Sequence, residues 1–131
     1  MNFTGKAVWE GEVEGKALVS EDPISFLGGV DPETGEIVEP GHQLEGKSVK
    51  SRVLIFPHGK GSTVGSYVIY QLVLNGVAPA AMINQVAEPV VAIGAIIAEI
   101  PLVHKLNKNP IKNVENGNKI SIQGKNVRVE K

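Results

Sequence analysis

The side chains best able to do chemistry in this sequence crowd into one short stretch, Gly59-Lys60-Gly61-Ser62-Thr63. Two glycines, two hydroxyls and one cation in five residues suit the binding of an anion. Flexible glycines let several backbone N–H groups converge on one point, and Lys60 adds a full positive charge beside them. A phosphate, a carboxylate or an oxyanion would be stabilised there. The same field favours the alkoxide of Ser62 over its alcohol, which a serine needs to act as base or nucleophile. A plainer reading stands beside this one: Ser62 or Thr63 caps a helix, worth about 1 kcal/mol. From the residues alone the cap is the more economical reading.

The flanking residues say what must hold that loop. Val53-Leu54-Ile55-Phe56 is a run of strand formers ended by Pro57. After the loop, Val64, Val68, Leu72 and Ile69, Val73 recur at helical spacing, and Asn75-Gly76 supplies a C-terminal stop. The unit is therefore strand, glycine–hydroxyl loop, helix, with Ser62 where loop becomes helix. The first N–H groups of a helix lack intrahelical partners and carry roughly half a positive charge.

Around this unit the chain reads as a single α/β domain. Residues 6–20 alternate as two short strands broken at Gly11 or Gly15. Residues 24–46 hold five glycines and two prolines; a loop of that length is usually functional or disordered. Its turn signals, Asp31-Pro32 and Thr34-Gly35, argue for defined turns. Asp31 and His42 are its chemical candidates, and both could equally hold turns together. Residues 79–84 read as a second buried strand beside Val53–Phe56, 88–95 as a short helix ended by Gly94, and 96–103 as a further strand. Residues 119–130 make a closing hairpin around Gly124.

Composition excludes several classes. At 131 residues, 42% hydrophobic and 21% charged, the chain has the balance of a globular domain that needs no staples. With no cysteine it has no disulfide, no thiolate nucleophile and no thiolate ligands for zinc or iron–sulfur clusters. His42, His58 and His104 are too scattered to form a ligand spacing. Residues 1–50 carry ten acids against four lysines, and 101–131 seven Lys or Arg against two Glu. That basic tail lacks aromatics and arginine clusters, so nucleic acid is not an expected partner. The apolar run 89–98 is too short to span a membrane, and the first twelve residues lack a signal core; the expected location is the cytoplasm. A dinucleotide reading of Gly59-x-Gly61-x-x-x-Gly65 fails on spacing, and a phosphate-loop reading on the missing upstream glycine. A hydrolase triad of Ser62, His58 and Asp31 stays open, although the nucleophile-elbow pattern is absent.

Gly61-Ser62-Thr63-Val64-Gly65-Ser66-Tyr67, preceded by Phe56-Pro57 and by Ser25-Phe26-Leu27-Gly28-Gly29-Val30-Asp31-Pro32-Glu33-Thr34-Gly35, resembles the aconitase X swivel-domain family. The likeness extends over nearly the whole chain, including Gly41-His42 and Gly94 to Pro101. It implies a swivelling β/β/α domain that closes over a larger aconitase X-like subunit, in which the iron–sulfur cluster (4Fe-4S) is housed, with no cofactor bound by this chain. The implied reaction is loss of water from a phosphorylated hydroxy acid, (R)-5-phosphomevalonate, to trans-anhydromevalonate 5-phosphate in an archaeal mevalonate route to isoprenoids. A sibling dehydratase acting on a hydroxyproline, or a non-catalytic anion-binding module, are the alternatives. By the resemblance Ser62 is the proton acceptor. Lys60, Gly61, Thr63, Gly65, Ser66, Asp31 and His42 are the candidate substrate contacts.

Overall fold

The computed structural model describes residues 1–131. Its strands are β1 (Asn2–Thr4), β2 (Lys6–Trp9), β3 (Glu12–Val19), β4 (Val53–Phe56), β5 (Ala81–Asn84), β6 (Leu102–His104), β7 (Lys119–Gln123) and β8 (Asn126–Glu130). Two ten-residue helices, α2 (Gly65–Leu74) and α3 (Pro89–Ala98), accompany two four-residue pieces, α1 (Phe26–Gly29) and α4 (Pro110–Asn113). All eight strands join in the order β1-β8-β7-β3-β4-β5-β6-β2. The outermost two, β1 and β2, are consecutive in sequence and meet at Gly5, so the sheet curls back on itself. Gly5 is required there: a Cβ would stand 2.5 Å from the carbonyl oxygen of His104.

Strand β4 organises this arrangement. It pairs in parallel with β3 (Leu18↔Leu54) and with β5 (Leu54↔Met82), and all four of its residues are buried. Side chains of a strand alternate between faces, and here both faces are covered. Leu54 and Phe56 join Leu18, Met82, Ile69 and Leu72 in the layer under the helices. Val53 and Ile55 join Phe3, Ala17, Ile83, Ile120 and Val127 inside the curled sheet. A continuous apolar run without alternation is what a doubly covered parallel strand requires. The parallel β4–α2–β5 unit and the β7–β8 hairpin are as expected from the sequence.

Two expectations are corrected. Gly94 does not end the second helix. It lies inside α3 against α2, where a Cβ would stand 2.5 Å from Ile69 Cδ1, so it is the residue that lets the two helices touch. Ile96 and Ile97 are accordingly helical, and the strand that follows begins only at Leu102. An uninterrupted apolar run cannot be divided between helix and strand by periodicity.

The long segment after β3 is a packed loop. Phe26, Val30, Ile37, Leu44 and Val49 are buried in the layer beneath the helices, and an isolated bridge pairs Val30 with Ile37. Phe26 meets Phe56 edge-to-face with ring centroids 6.1 Å apart, an arrangement worth about 1 kcal/mol beyond its buried area. That contact fastens the loop to the last residue of β4, where the chain leaves for Ser62.

Candidate active site

The glycine–hydroxyl loop leaves the C-terminal end of β4, the side on which ligands gather in parallel α/β sheets. It is held from three directions. On one side Ile24 and Gly59 form a bridge, with Lys60 N–H donating to the Ile24 carbonyl at 3.0 Å. On another, Gly59 packs against the carboxylate of Glu88, which caps α3 by accepting the N–H groups of Val90 and Val91 at 2.9 and 2.8 Å. On the third, Gly61 adopts φ +86° with its α-carbon facing Ser25 Oγ. Asn84 Nδ2 donates to the Phe56 carbonyl at 3.1 Å and braces the strand end itself.

Helix α2 begins later than the sequence reading placed it, at Gly65, and no side chain caps it. A tight turn leads in: the N–H groups of Gly65, Ser66 and Tyr67 donate to the carbonyls of Ser62, Thr63 and Val64. Ser62 Oγ accepts the N–H of Val64 at 3.2 Å, a local hydroxyl turn rather than a helix cap. Ser62 is exposed and its hydroxyl proton is uncommitted. The N–H groups of Gly61, Ser62 and Thr63 make no hydrogen bond within the chain. Three successive free donors beside an exposed hydroxyl are the ingredients of an anion nest. They lie in the loop before the helix; the helix's own first N–H groups are already occupied.

The other sequence candidates divide. Thr63 is exposed next to Ser62, and Gly65 is buried against Val90 and Leu27. Lys60 is not a free cation: its Nζ pairs with Glu39 Oε2 at 3.0 Å, both groups being partly exposed. Ser66 is corrected, since its buried Oγ donates to the Val90 carbonyl at 2.7 Å and ties α2 to α3. His42 is corrected too. Its ring is buried, Nδ1 accepts the Leu44 N–H at 2.9 Å, and Nε2 lies 3.0 Å from the Pro23 carbonyl, so both nitrogens serve the loop. Asp31 accepts the Glu33 N–H at 2.9 Å and holds a turn. The next residue, Pro32, accepts from Asn75 Nδ2 at the far end of α2, about 15 Å of helix away from the Ser62 end. That separation removes the triad, and His58, whose Nδ1 faces the Gly59 carbonyl at 2.7 Å, makes no hydrogen bond to Ser62.

Sequence reasoning missed Ser25 and Glu39. Ser25 lies in a block already singled out, but nothing local reveals that it backs Gly61. Glu39 is 21 residues from Lys60 and carries no motif.

A larger concavity, about 650 Å³, lies elsewhere, on the polar face of β1, β3, β7 and β8. It is lined by residues such as Asn2, Glu14, Ser121 and Arg128 and shares none with the loop. It is an open polar sheet face and includes neither Ser62 nor the unpaired backbone N–H groups beside it. No cluster of three or more His, Cys, Asp or Glu side chains converges anywhere, and there is no cysteine. The donor set does not fit an iron–sulfur cluster or another resident metal.

A curled β sheet with two helices on one side and an exposed glycine–serine loop at its rim defines a swivel-type domain. The aconitase X swivel-domain model matches residues 2–131, and the chain belongs to that family. It is 60% identical to the phosphomevalonate dehydratase small subunit of Methanocella arvoryzae, over 95% of this chain and 94% of that one. Identity to the protein of the same name from Methanosarcina acetivorans is 56%, over 99% of this chain and 90% of that one. The crystal structure of Thermococcus kodakaraensis aconitase X (holo-form) superposes with a TM-score of 0.94 at 41% identity, covering 100% of this chain and 99% of that one.

Proposed function

We propose that this chain is the small subunit of a phosphomevalonate dehydratase, a hydro-lyase of the mevalonate route to isoprenoids, and that Ser62 is its proton acceptor. The observation that carries the assignment of Ser62 is its setting: an exposed hydroxyl bound by one backbone N–H, beside three consecutive unpaired N–H groups. Relatives at 56–60% identity over nearly the whole chain carry the substrate and reaction in their name.

Loss of water from a 3-hydroxy acid requires a proton to leave the carbon next to the carboxylate. The C–H electron pair becomes the new double bond, and the hydroxyl leaves from the neighbouring carbon with its bonding pair. Ser62 Oγ takes that proton as an alkoxide, which the Val64 N–H and the local backbone dipoles stabilise. Glycines in the loop let substrate approach the backbone closely. Closure of this domain over the larger subunit that the small-subunit name implies would exclude water from the reacting atoms. The iron–sulfur cluster implied by the family has no ligands on this chain and would belong to that larger subunit.

The test uses the assembled complex, kept anaerobic, with (R)-5-phosphomevalonate as substrate. Ser62→Ala should lower kcat by about 10²–10⁴-fold, the usual contribution of a positioned base, with assembly intact. Turnover at the wild-type rate would remove Ser62 from the mechanism.

A further inference from the structure

The outer face of the helix pair does not look like a surface meant for water. Neither α2 (GSYVIYQLVL) nor α3 (PVVAIGAIIA) contains a charged residue, although 21% of the chain is charged. A solvent-facing helix ordinarily carries charge opposite its apolar stripe; here both sides are uncharged. On α2, Tyr67 is 64% and Leu74 65% exposed, with Tyr70 beside them. On α3, Ile93 is 53% exposed and is followed by exposed Ile96 and Ile97. Both tyrosines of the protein stand on this face. Taking roughly 200 Å² for each tyrosine and somewhat less for each smaller aliphatic side chain, these residues with Val64 and Val73 leave about 700 Å² open. That approaches the ~800 Å² one partner contributes to a stable interface and exceeds the largest apolar patch of a typical monomer, about 300–600 Å².

The patch is continuous with the active loop. A groove of about 240 Å³ between the helices is lined by Thr63, Val64, Tyr67, Ile93 and Ile97. It therefore starts at the residue next to Ser62 and runs along the helix seam. Whatever covers the seam also sits beside the Ser62 hydroxyl. A second copy of this chain would place a domain with no complementary chemistry over that hydroxyl. A subunit that brings the rest of the active site must come to this same rim.

We infer that the α2–α3 face is the surface on which the larger subunit docks, through an apolar, charge-poor surface of its own. This rests on the two-subunit reading above. Tyr67, Ile93 and Ile97 act as anchors, since interface centres are depleted in charge and enriched in aromatics. Docking there sets the distance of Ser62 from the partner's site, so the same contact that holds the subunits together aims the base.

The experiment measures the dissociation constant between this chain and the anaerobically purified large subunit by titration calorimetry. Ile93→Asp and Tyr67→Asp change exposed residues, and circular dichroism checks that each variant folds. Both should weaken binding at least 100-fold, while Ser121→Asp on the polar sheet face changes it less than about threefold. Tyr67→Ser, with no charge added, should weaken it about tenfold and decides the matter if an aspartate variant fails to fold. Ser62→Ala should bind like wild type. Unchanged affinity in Ile93→Asp or, where needed, Tyr67→Ser would overturn the docking face while leaving the two-subunit reading standing. A wild-type chain that forms no complex at all would overturn that reading instead. Self-association of this chain through the face, abolished by Ile93→Asp with the two-subunit complex unaffected, would also overturn it.

Discussion

Gly61→Ala is the substitution that most directly probes how the loop holds Ser62. Gly61 has φ +86°, a conformation that costs an L-residue about 1–2 kcal/mol. The new methyl would stand 2.6 Å from Ser25 Oγ, well inside van der Waals contact, and Ser25 already donates to the Leu27 carbonyl at 3.1 Å. Moving Ser25 aside gives up that bond, at about 1 kcal/mol. The total is about 2–3 kcal/mol, or about 8–12 °C in Tm for a domain of this size. The catalytic effect is of about the same size as the stability effect. If the strain is relieved by shifting the loop by about 1 Å, turnover in the assembled enzyme falls about 100-fold. The assay pairs thermal unfolding by circular dichroism with turnover of the complex. Gly61→Ala combined with Ser25→Gly separates the two causes: removing the serine side chain should recover about half of the lost Tm, because the backbone strain stays. An unchanged Tm and unchanged turnover in Gly61→Ala would refute the account of a loop held by its left-handed bend.

Gly94→Val should destabilise by about 2–3 kcal/mol, because the seam between α2 and α3 has no room beside Ile69; an undiminished Tm would mean that the helices are not in contact there. Glu39→Gln should free Lys60 from its ion pair and lower KM for a phosphorylated substrate about two- to fivefold, the modest effect of a partly exposed pair. Lys60→Ala should raise KM about tenfold with kcat largely kept, and an unchanged KM would exclude Lys60 as the phosphate contact. His104 has its pKa lowered from the usual 6.5, first by burial and then by Lys105 and Lys6, and its Nδ1 accepts the Ala87 N–H at 2.9 Å. Folding therefore favours its neutral form. Its contribution to stability is therefore complete above pH 6.5 and is lost as pH falls through the lower folded value. His104→Gln should flatten the Tm–pH curve in that acidic window, and an unaltered slope would assign the pH dependence to other groups.

Local patterns carried the central unit far. The apolar run Val53–Phe56, the break at Pro57 and the helical spacing up to Asn75-Gly76 are short-range signals, and the structure reproduces them as β4, loop and α2. The hairpin around Gly124 was legible for the same reason. What failed was the division of the run from Pro89 to Val103. Valine, isoleucine and alanine there suit a buried helix or a buried strand equally. The packing of Gly94 on Ile69 decides it. β1 was invisible as well, since three residues at a terminus become a strand only by pairing with β8 at the opposite end of the chain.

By itself, the amino-acid sequence determined the chemistry on offer: no cysteine, one glycine–hydroxyl loop after a buried strand, and a family motif around Ser62. Those are properties of residue type and short spacing, which do not depend on what lies across the fold. Tertiary structure alone decided which hydroxyl is free. Ser66 turns inward to Val90, His42 gives both nitrogens to the backbone, Asp31 goes to the far end of α2, and Glu39 comes to meet Lys60. Each depends on a partner distant in sequence or on the local packing of a loop, and availability is a property of unmade hydrogen bonds. Only a folded chain shows which hydrogen bonds remain unmade.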